Sequence, residues 1–214
     1  MAALVIALIG AESTGKSTLA RELTVSLEAD GLVVAHLDEY LRTFCDLHGR
    51  TPRQDEQVHI AAEQTRRIAA ARDARLLPVD VVVADTTALM TAVYSDYVFG
   101  DTTLYPQALA DHRQADLTLL MALDLPWIAD GLQRDGPQVQ QPVDQMLRRA
   151  LLGAGVGFSV IGGVGPQRLA NARAAWAAVQ RQAAAGTPHR PTGGWRHHCG
   201  RCGDPFCEQH LFSR

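Results

Sequence analysis

Short apolar runs alternate with longer segments of helical periodicity along this chain of 214 residues. Continuous apolar runs of about four to eight residues are typical of strands that a parallel sheet buries on both faces. Apolar residues that recur about every three to four positions predict helices. The pattern predicts strands over residues 4–9, 33–37, 79–84, 117–123 and 158–161, and helices over residues 18–29, 56–74, 89–99, 106–114, 138–152 and 169–185.

Strands and helices that alternate in this way predict an α/β fold. We expect three layers, with a five-stranded parallel sheet between helices, over residues 1–185. Residues 186–194 are rich in glycine and proline and predict a linker, and residues 195–214 form a short tail that carries cysteine and histidine. Ligands of such sheets bind beyond the carboxyl ends of the strands. Polar clusters follow several predicted strands, so we expect them to share one site.

The first of these clusters is a glycine-rich loop between the first strand and the first helix. It has the pattern Gly-x4-Gly-Lys-Ser in the context that a phosphate-binding loop requires. Its backbone amides and the start of the helix favour phosphate, Lys16 should reach the β- and γ-phosphates, and Ser17 should bind Mg²⁺. The loop predicts a P-loop NTPase that binds ATP through Gly10, Glu12, Ser13, Thr14, Gly15, Lys16, Ser17 and Thr18. A simple glycine-rich turn is the alternative.

Carboxylates follow the second and third strands. Asp85 ends a buried apolar run, where a carboxylate can hold Mg²⁺ directly or through water. Asp38 and Glu39 end the second strand, where a kinase for small alcohols needs a base for the attacking hydroxyl. Only one of the two can face the site, because side chains alternate in an extended segment. Arg42 could neutralise this pair or contact phosphate, and Tyr40 offers a flat ring.

Residues 130–136 have the composition of a mobile lid. Glycines at both ends would act as hinges, and Arg134 could close on the transferred phosphoryl group. Tyr94, Tyr97 and Trp127 are expected near the acceptor, where a flat or cationic ring would stack on them, although aromatic residues more often belong to a core.

The charge and the lengths of the apolar runs limit the kinds of partner that we expect. The net charge is −3 and the pI is near 6.2, which gives no support for nucleic-acid binding. No apolar run approaches the length of about 20 residues that spans a bilayer, so we expect no membrane partner. Cleavage of the first apolar run as a signal peptide would destroy the phosphate loop, and that run has no basic residues before it. We therefore expect a cytoplasmic protein with reduced cysteines.

The tail has the spacing of a zinc knuckle. Cys199, Cys202, Cys207 and His210 are four soft ligands within a short segment, the number that one tetrahedral zinc needs. With all four positions filled by protein the zinc would be structural. His197 or His198 could replace His210, and a tail with reactive thiols is the alternative.

Four motifs in order resemble one known family. They are the loop at residues 10–18, Glu39-Tyr40-x-Arg42, Asp85-Thr86 with the helix to Gly100, and residues 126–132. Together they resemble the ribosylnicotinamide (nicotinamide riboside) kinase domain of the bacterial NAD-biosynthesis regulator, over residues 1–185. The resemblance implies ATP- and Mg²⁺-dependent phosphorylation of nicotinamide riboside to nicotinamide mononucleotide.

The resemblance also implies roles for single residues. Glu39 would meet the ribose, Asp85 would bind Mg²⁺, and Trp127 and Asp130 would belong to the lid region. Thr87 stands where relatives often have a second acidic residue, which leaves the division of labour between Asp85 and the pair at 38–39 open. No adenylyltransferase domain or DNA-binding motif precedes the first strand, so we expect neither activity. A kinase for another nucleoside or small alcohol, and a nucleotide-dependent interaction module, remain alternatives.

Overall fold

The protein is described by a computed structural model over residues 2–74, 78–128 and 136–184, with side chains through residue 181. The described residues form five strands: β1 (Leu4–Ile9), β2 (Val34–Leu37), β3 (Val81–Asp85), β4 (Leu117–Met121) and β5 (Ser159–Ile161). Seven helices accompany them: α1 (Lys16–Ala29), α2 (Tyr40–His48), α3 (Gln57–Arg72), α4 (Ala88–Phe99), α5 (Tyr105–His112), α6 (Gln140–Gly153) and α7 (Pro166–Ala184). The predicted linker at 186–194 and tail at 195–214 lie outside the described residues, so these boundaries stay predictions.

All five strands are parallel and lie in the order β2-β3-β1-β4-β5. The connection after β1 runs to β2 at one edge of the sheet, whereas the connection after β3 runs to β4 on the other side of β1. The crevice between the carboxyl ends of β1 and β3 is therefore the switch point at which such sheets bind ligands. The predicted five-stranded parallel α/β fold is confirmed.

The sheet is buried on both faces, as continuous apolar strands require. Ile6 and Leu8 of β1 pack with α1 and α7 on one face, where Trp176 is buried. Ile9 packs with α4 and α6 on the other face. Side chains of one strand thus alternate between two cores, with helices covering each.

The structure contains one helix that the apolar pattern did not predict. Helix α2 begins directly after Glu39, whose backbone is extended, and ends at Gly49 in the left-handed conformation. Phe44 and Cys45 are buried against Ile60 of α3, and this packing stabilises a helix too short to form from propensity alone. Other predicted elements differ from the structure mainly at their ends. For example, β3 begins two residues later than predicted and includes Asp85.

No helix in the described part of the chain is long and apolar enough to cross a membrane.

A buried histidine of α5 connects the residue before α4 with strand β4. His112 is 2% exposed, and its two ring nitrogens form hydrogen bonds of 2.9 Å with Thr87 and 3.0 Å with Thr118. Burial lowers the pKa of His112 to about 4. The neutral ring donates through one nitrogen and accepts through the other, so both hydroxyl partners are satisfied.

We expect the free energy of unfolding to decrease as the pH falls from about 6.5 to about 4. An unfolded histidine has a pKa of about 6.5, so the unfolded chain binds this proton first as the pH falls. The full difference from the folded value of about 4 corresponds to about 3 kcal/mol. Urea unfolding of the wild type and His112→Gln at pH 7 and pH 4.5 measures this, and the wild type should lose more stability. Equal losses in both proteins would contradict the assignment.

Candidate functional site

The phosphate loop leaves β1 with backbone angles that few residues adopt. Gly10 has φ of +152°, and a Cβ there would lie 2.8 Å from Cβ of Met121 on the neighbouring strand β4. Gly15 precedes α1 with φ of +77°, and Ser13 has φ of +57°. Close approach to β4 and the left-handed turn explain why glycines stand at both ends of the motif.

Lys16 is the only lysine of the sequence, and it lies inside the loop. Its Nζ donates hydrogen bonds of 2.7 Å to the carbonyl of Gly10 and 2.8 Å to that of Ala11. The hydroxyl of Thr14 donates to the same Ala11 carbonyl at 2.7 Å. These bonds hold the loop closed around a positive charge, which is the arrangement that binds a polyphosphate.

A buried arginine braces the loop from behind. Arg168, in the first turn of α7, is 5% exposed. It donates hydrogen bonds of 2.8 Å each to the carbonyls of Thr14 and Gly163 and forms an ion pair with Asp124. Asp124 also accepts a 2.6 Å hydrogen bond from the amide of Gly163. The phosphate loop is thereby joined to the segments that follow β4 and β5.

Asp85 lies beside the phosphate loop at the end of β3, where it pairs with Leu8 of β1. It is 1% exposed, and its Oδ1 has no hydrogen-bond partner among the described residues. A buried carboxylate oxygen without a partner is costly unless something else satisfies it. A divalent cation would satisfy this oxygen, and the hydroxyl of Ser17 in the phosphate loop is the residue that would hold the cation with it.

Glu39 is the member of the acidic pair that faces this site. Its Oε2 accepts a 3.2 Å hydrogen bond from Nε of Arg42, whose Nη2 donates to the hydroxyl of Ser17 at 3.4 Å. Burial raises the pKa of the Glu39 carboxyl and the nearby charge of Asp85 raises it further, while Lys16 and Arg42 oppose this rise. Burial is the largest of these effects, so Glu39 is a stronger base than an exposed carboxylate.

The side chain of Asp38 lies outside this site, at the surface. Its side chain is 64% exposed and contacts His36 at 3.2 Å and Arg21 at 3.9 Å. The structure thus separates the two neighbours, as alternation in an extended segment predicts.

A cavity of about 720 Å³ joins the phosphate loop to Glu39 and Arg42. This volume lies within the range of about 300–1,000 Å³ that is usual for small-molecule sites. Helix α4 contributes an apolar and aromatic wall, and the connector between α2 and α3 contributes a polar one. The walls include Leu41, Cys45, Thr51, Pro52, Arg53, Gln54, Gln57, Met90, Thr91, Tyr94, Val98 and Phe99.

The structure brings only some of the predicted acceptor residues to this cavity. Tyr94 lines it, whereas Tyr97 packs at the edge of the core around α6. The ring of Tyr40 contacts Arg67 and His59 on the α2–α3 surface. Trp127 is half-buried and is not part of the cavity wall. Asp130, Arg134, Cys199, Cys202, Cys207 and His210 lie outside the described residues.

Sequence reasoning missed several residues of the site. Arg168 carries no local signal, because nothing in its neighbourhood shows that its partners come from β4 and the phosphate loop. Gln57 and Gln64 are both buried on α3, at 7% and 2% exposure. Their spacing of seven residues places two polar side chains on one buried helix face, and that pattern could have identified them.

No group of three or more His, Cys, Asp or Glu side chains in the described part of the chain could hold a metal ion by itself. Mg²⁺ does not need such a group, since it is usually bound through one or two carboxylates, water and substrate phosphates.

The loop, the strand order and the buried carboxylate define a P-loop nucleotide-binding domain. The chain belongs to the AAA domain family, whose profile matches residues 5–168. It is 28% identical over 151 residues to the trifunctional NAD biosynthesis/regulator protein NadR of Salmonella typhimurium and to that of Escherichia coli. The match covers 66% of this chain and 34% of each relative, so the chain spans about a third of their length.

Solved structures share the fold, among them two of NadR. A crystal structure of NadR protein in complex with NR superposes with a TM-score of 0.68 at 21% identity, covering 83% of this chain and 49% of that one. A crystal structure of NadR protein in complex with NAD and AMP-PNP has a TM-score of 0.63 at 20% identity, covering 84% and 50%. The family resemblance predicted from the four motifs is confirmed.

We expect Arg168→Lys to weaken both the fold and ATP binding. An ammonium group is a single nitrogen, so it cannot reach the three acceptors that Nε, Nη1 and Nη2 of Arg168 meet, and each lost hydrogen bond to a charged group typically costs about 1.5–3 kcal/mol. Arg173→Lys is the matched control, because Arg173 is on the same helix but forms a half-exposed pair with Asp30. Such pairs contribute about 0–1 kcal/mol. Urea unfolding and ATP titration of both variants test this. Equal free energies of unfolding and equal ATP affinities in the two variants would show that Arg168 does not stabilise the phosphate loop.

Proposed function

We propose that this protein transfers the γ-phosphoryl group of ATP to the ribose hydroxyl of nicotinamide riboside, which yields nicotinamide mononucleotide. The observation that carries the proposal is that Lys16 and Glu39 line one cavity, and that the buried Asp85 is close enough for its charge to act on Glu39. A phosphate-binding lysine, a carboxylate with a free oxygen and a second carboxylate with a raised pKa are the groups that phosphoryl transfer to an alcohol requires.

In this mechanism the loop amides and Lys16 hold the β- and γ-phosphates. Mg²⁺, when bound by Asp85 and Ser17, would neutralise charge on the phosphates. Oε2 of Glu39 is held by Arg42, so we assign Oε1 as the atom that accepts the proton of the attacking hydroxyl. The raised pKa of Glu39 suits this task, since the efficiency of a general base increases as its pKa approaches the working pH.

Two arguments support nicotinamide riboside as the acceptor: the charge of its ring and the similarity of this chain to NadR. Nicotinamide riboside carries a cationic pyridinium ring, which aromatic and acidic groups attract. The cavity is lined by Tyr94 and Phe99 of α4 and by Glu39. The relatives named above act in NAD biosynthesis, and one solved neighbour is a complex with NR. Another nucleoside acceptor would use the same phosphate loop and the same base.

A nucleotide-dependent interaction module is the alternative from a different class. Such a protein needs no base beside the phosphate loop, whereas the largely buried Glu39 lines the same cavity as that loop and has a raised pKa. This favours the kinase.

Several sequence hypotheses concern residues outside the described part of the chain. The lid with Asp130 and Arg134 and the zinc ligands Cys199, Cys202, Cys207 and His210 stay predictions. Localisation in the cytoplasm also stays a prediction. Metal analysis of the purified chain tests whether it contains zinc.

The acceptor assay tests the proposed function. Purified protein with ATP and Mg²⁺ should phosphorylate nicotinamide riboside much faster than uridine or thymidine, because only the first presents a cation to the cavity. Coupled detection of ADP measures the rates, and mass spectrometry identifies the product. Equal rates for all three would leave a kinase of another specificity, and no acceptor-dependent ADP release would defeat the kinase itself.

Substitution of the two acidic neighbours tests the base. Glu39→Gln should lower kcat about 100-fold while ATP binding persists, because the amide cannot accept the proton. Asp38→Asn is the matched control next to it and should keep kcat within about twofold, because its side chain is 64% exposed. If Asp38→Asn is the more damaging change, the roles assigned to the pair are reversed.

A further inference from the structure

The turns that carry Glu39 and Asp85 are joined by one side chain from α3. We propose that Gln64 is a positioning residue that sets the separation between these two carboxylates. This inference rests on the proposed function, because it concerns the distance between the assigned base and the assigned Mg²⁺ ligand.

Two hydrogen bonds carry the inference. Oε1 of Gln64 accepts a 2.8 Å hydrogen bond from the amide of Tyr40, the residue after Glu39. Nε2 of Gln64 donates a 3.3 Å hydrogen bond to the carbonyl of Thr86, the residue after Asp85. Gln64 is 2% exposed, so water does not compete for these bonds.

The sheet itself does not fix this separation. The ladder between β2 and β3 ends with the pair Leu37 and Ala84, before either carboxylate is reached. Beyond that pair, the Gln64 amide takes the place of a further rung, with one acceptor towards β2 and one donor towards β3. Glu39 and Asp85 are therefore held at a distance that a side chain determines.

The turn after Asp85 has particular need of such support. Thr86 has φ of +89°, a conformation that costs a non-glycine residue about 1–3 kcal/mol. Its amide donates to the carbonyls of Leu8 and Ala84 at 3.0 Å each. Its carbonyl receives the Gln64 bond, so loss of that bond frees one side of a strained turn.

Gln64 acts through geometry and not through charge. The charged groups that face Glu39 are Lys16 on α1, Arg42 on α2 and Asp85 on β3, and the glutamine amide is neutral. An amide also satisfies a donor and an acceptor at once, which neither an apolar nor an ionised side chain can do.

The test compares two neighbouring substitutions on α3. Gln64→Met keeps the shape and removes both bonds. Thr65→Val is the matched control, because it removes one 3.0 Å hydrogen bond to Asp111 that lies away from the cavity. Gln64→Met should lower kcat about tenfold to 100-fold, since small misplacements of reacting groups have effects of this size. Its dissociation constant for ATP should stay within about twofold, and Thr65→Val should keep both values.

Gln64→Asn is a second variant, and it keeps the amide but is one methylene too short to reach both partners. We expect it to lose kcat as Gln64→Met does. If either variant turns over like Thr65→Val, or loses ATP affinity as much as kcat, Gln64 does not position the carboxylates.

Hydrogen exchange supplies a readout that needs no catalysis. The amide of Tyr40 should exchange about tenfold faster in Gln64→Met than in Thr65→Val, because it loses its buried acceptor. Equal exchange in both variants would overturn the proposal. If the wild type phosphorylates no nucleoside, the proposed function fails, and the exchange experiment still decides whether the bridge exists.

Discussion

The buried guanidinium group of Arg168 holds the phosphate loop in position on the sheet. Arg168 joins the carbonyl of Thr14 to the ends of β4 and β5, and it is almost completely removed from water. A buried charge is tolerated only where its partners are complete, so the loop, Asp124 and Gly163 must keep their positions together. The close contact of Gly10 with Met121 acts in the same direction, since it presses the start of the loop against β4.

The opposite side of the crevice is organised by polar groups of a different kind. Arg42 links Glu39 to Ser17, and Gln64 links the turns that follow β2 and β3. The loop side is thus held by one buried charge, and the carboxylate side by the charged group of Arg42 together with the neutral amide of Gln64. Both sets of contacts lie at the carboxyl ends of parallel strands, where backbone groups no longer pair with one another and side chains must take their place.

The apolar pattern predicted the sheet because each strand is a continuous run buried on both faces, and the phosphate loop was recognisable because its function needs fixed residue types at fixed spacing. Asp85 was found for the same reason, since it ends such a run. The choice between Asp38 and Glu39 could not be made from the sequence, because it depends on where the extended segment ends and α2 begins, and α2 has no signal in the apolar pattern. Arg168 and Gln64 could not be assigned roles, because their partners are distant in sequence and meet only in the folded chain.

The presence of one lysine in the whole chain has a practical consequence. Every other permanently cationic side chain is an arginine, and Lys16 lies within the nucleotide site. Reagents that acylate primary amines therefore have one side-chain target in this sequence, and the stoichiometry of labelling at Lys16 measures how far the loop is shielded. For the same reason, coupling to a sensor surface or a fluorophore through amines would block the phosphate loop, and attachment through another side chain is required.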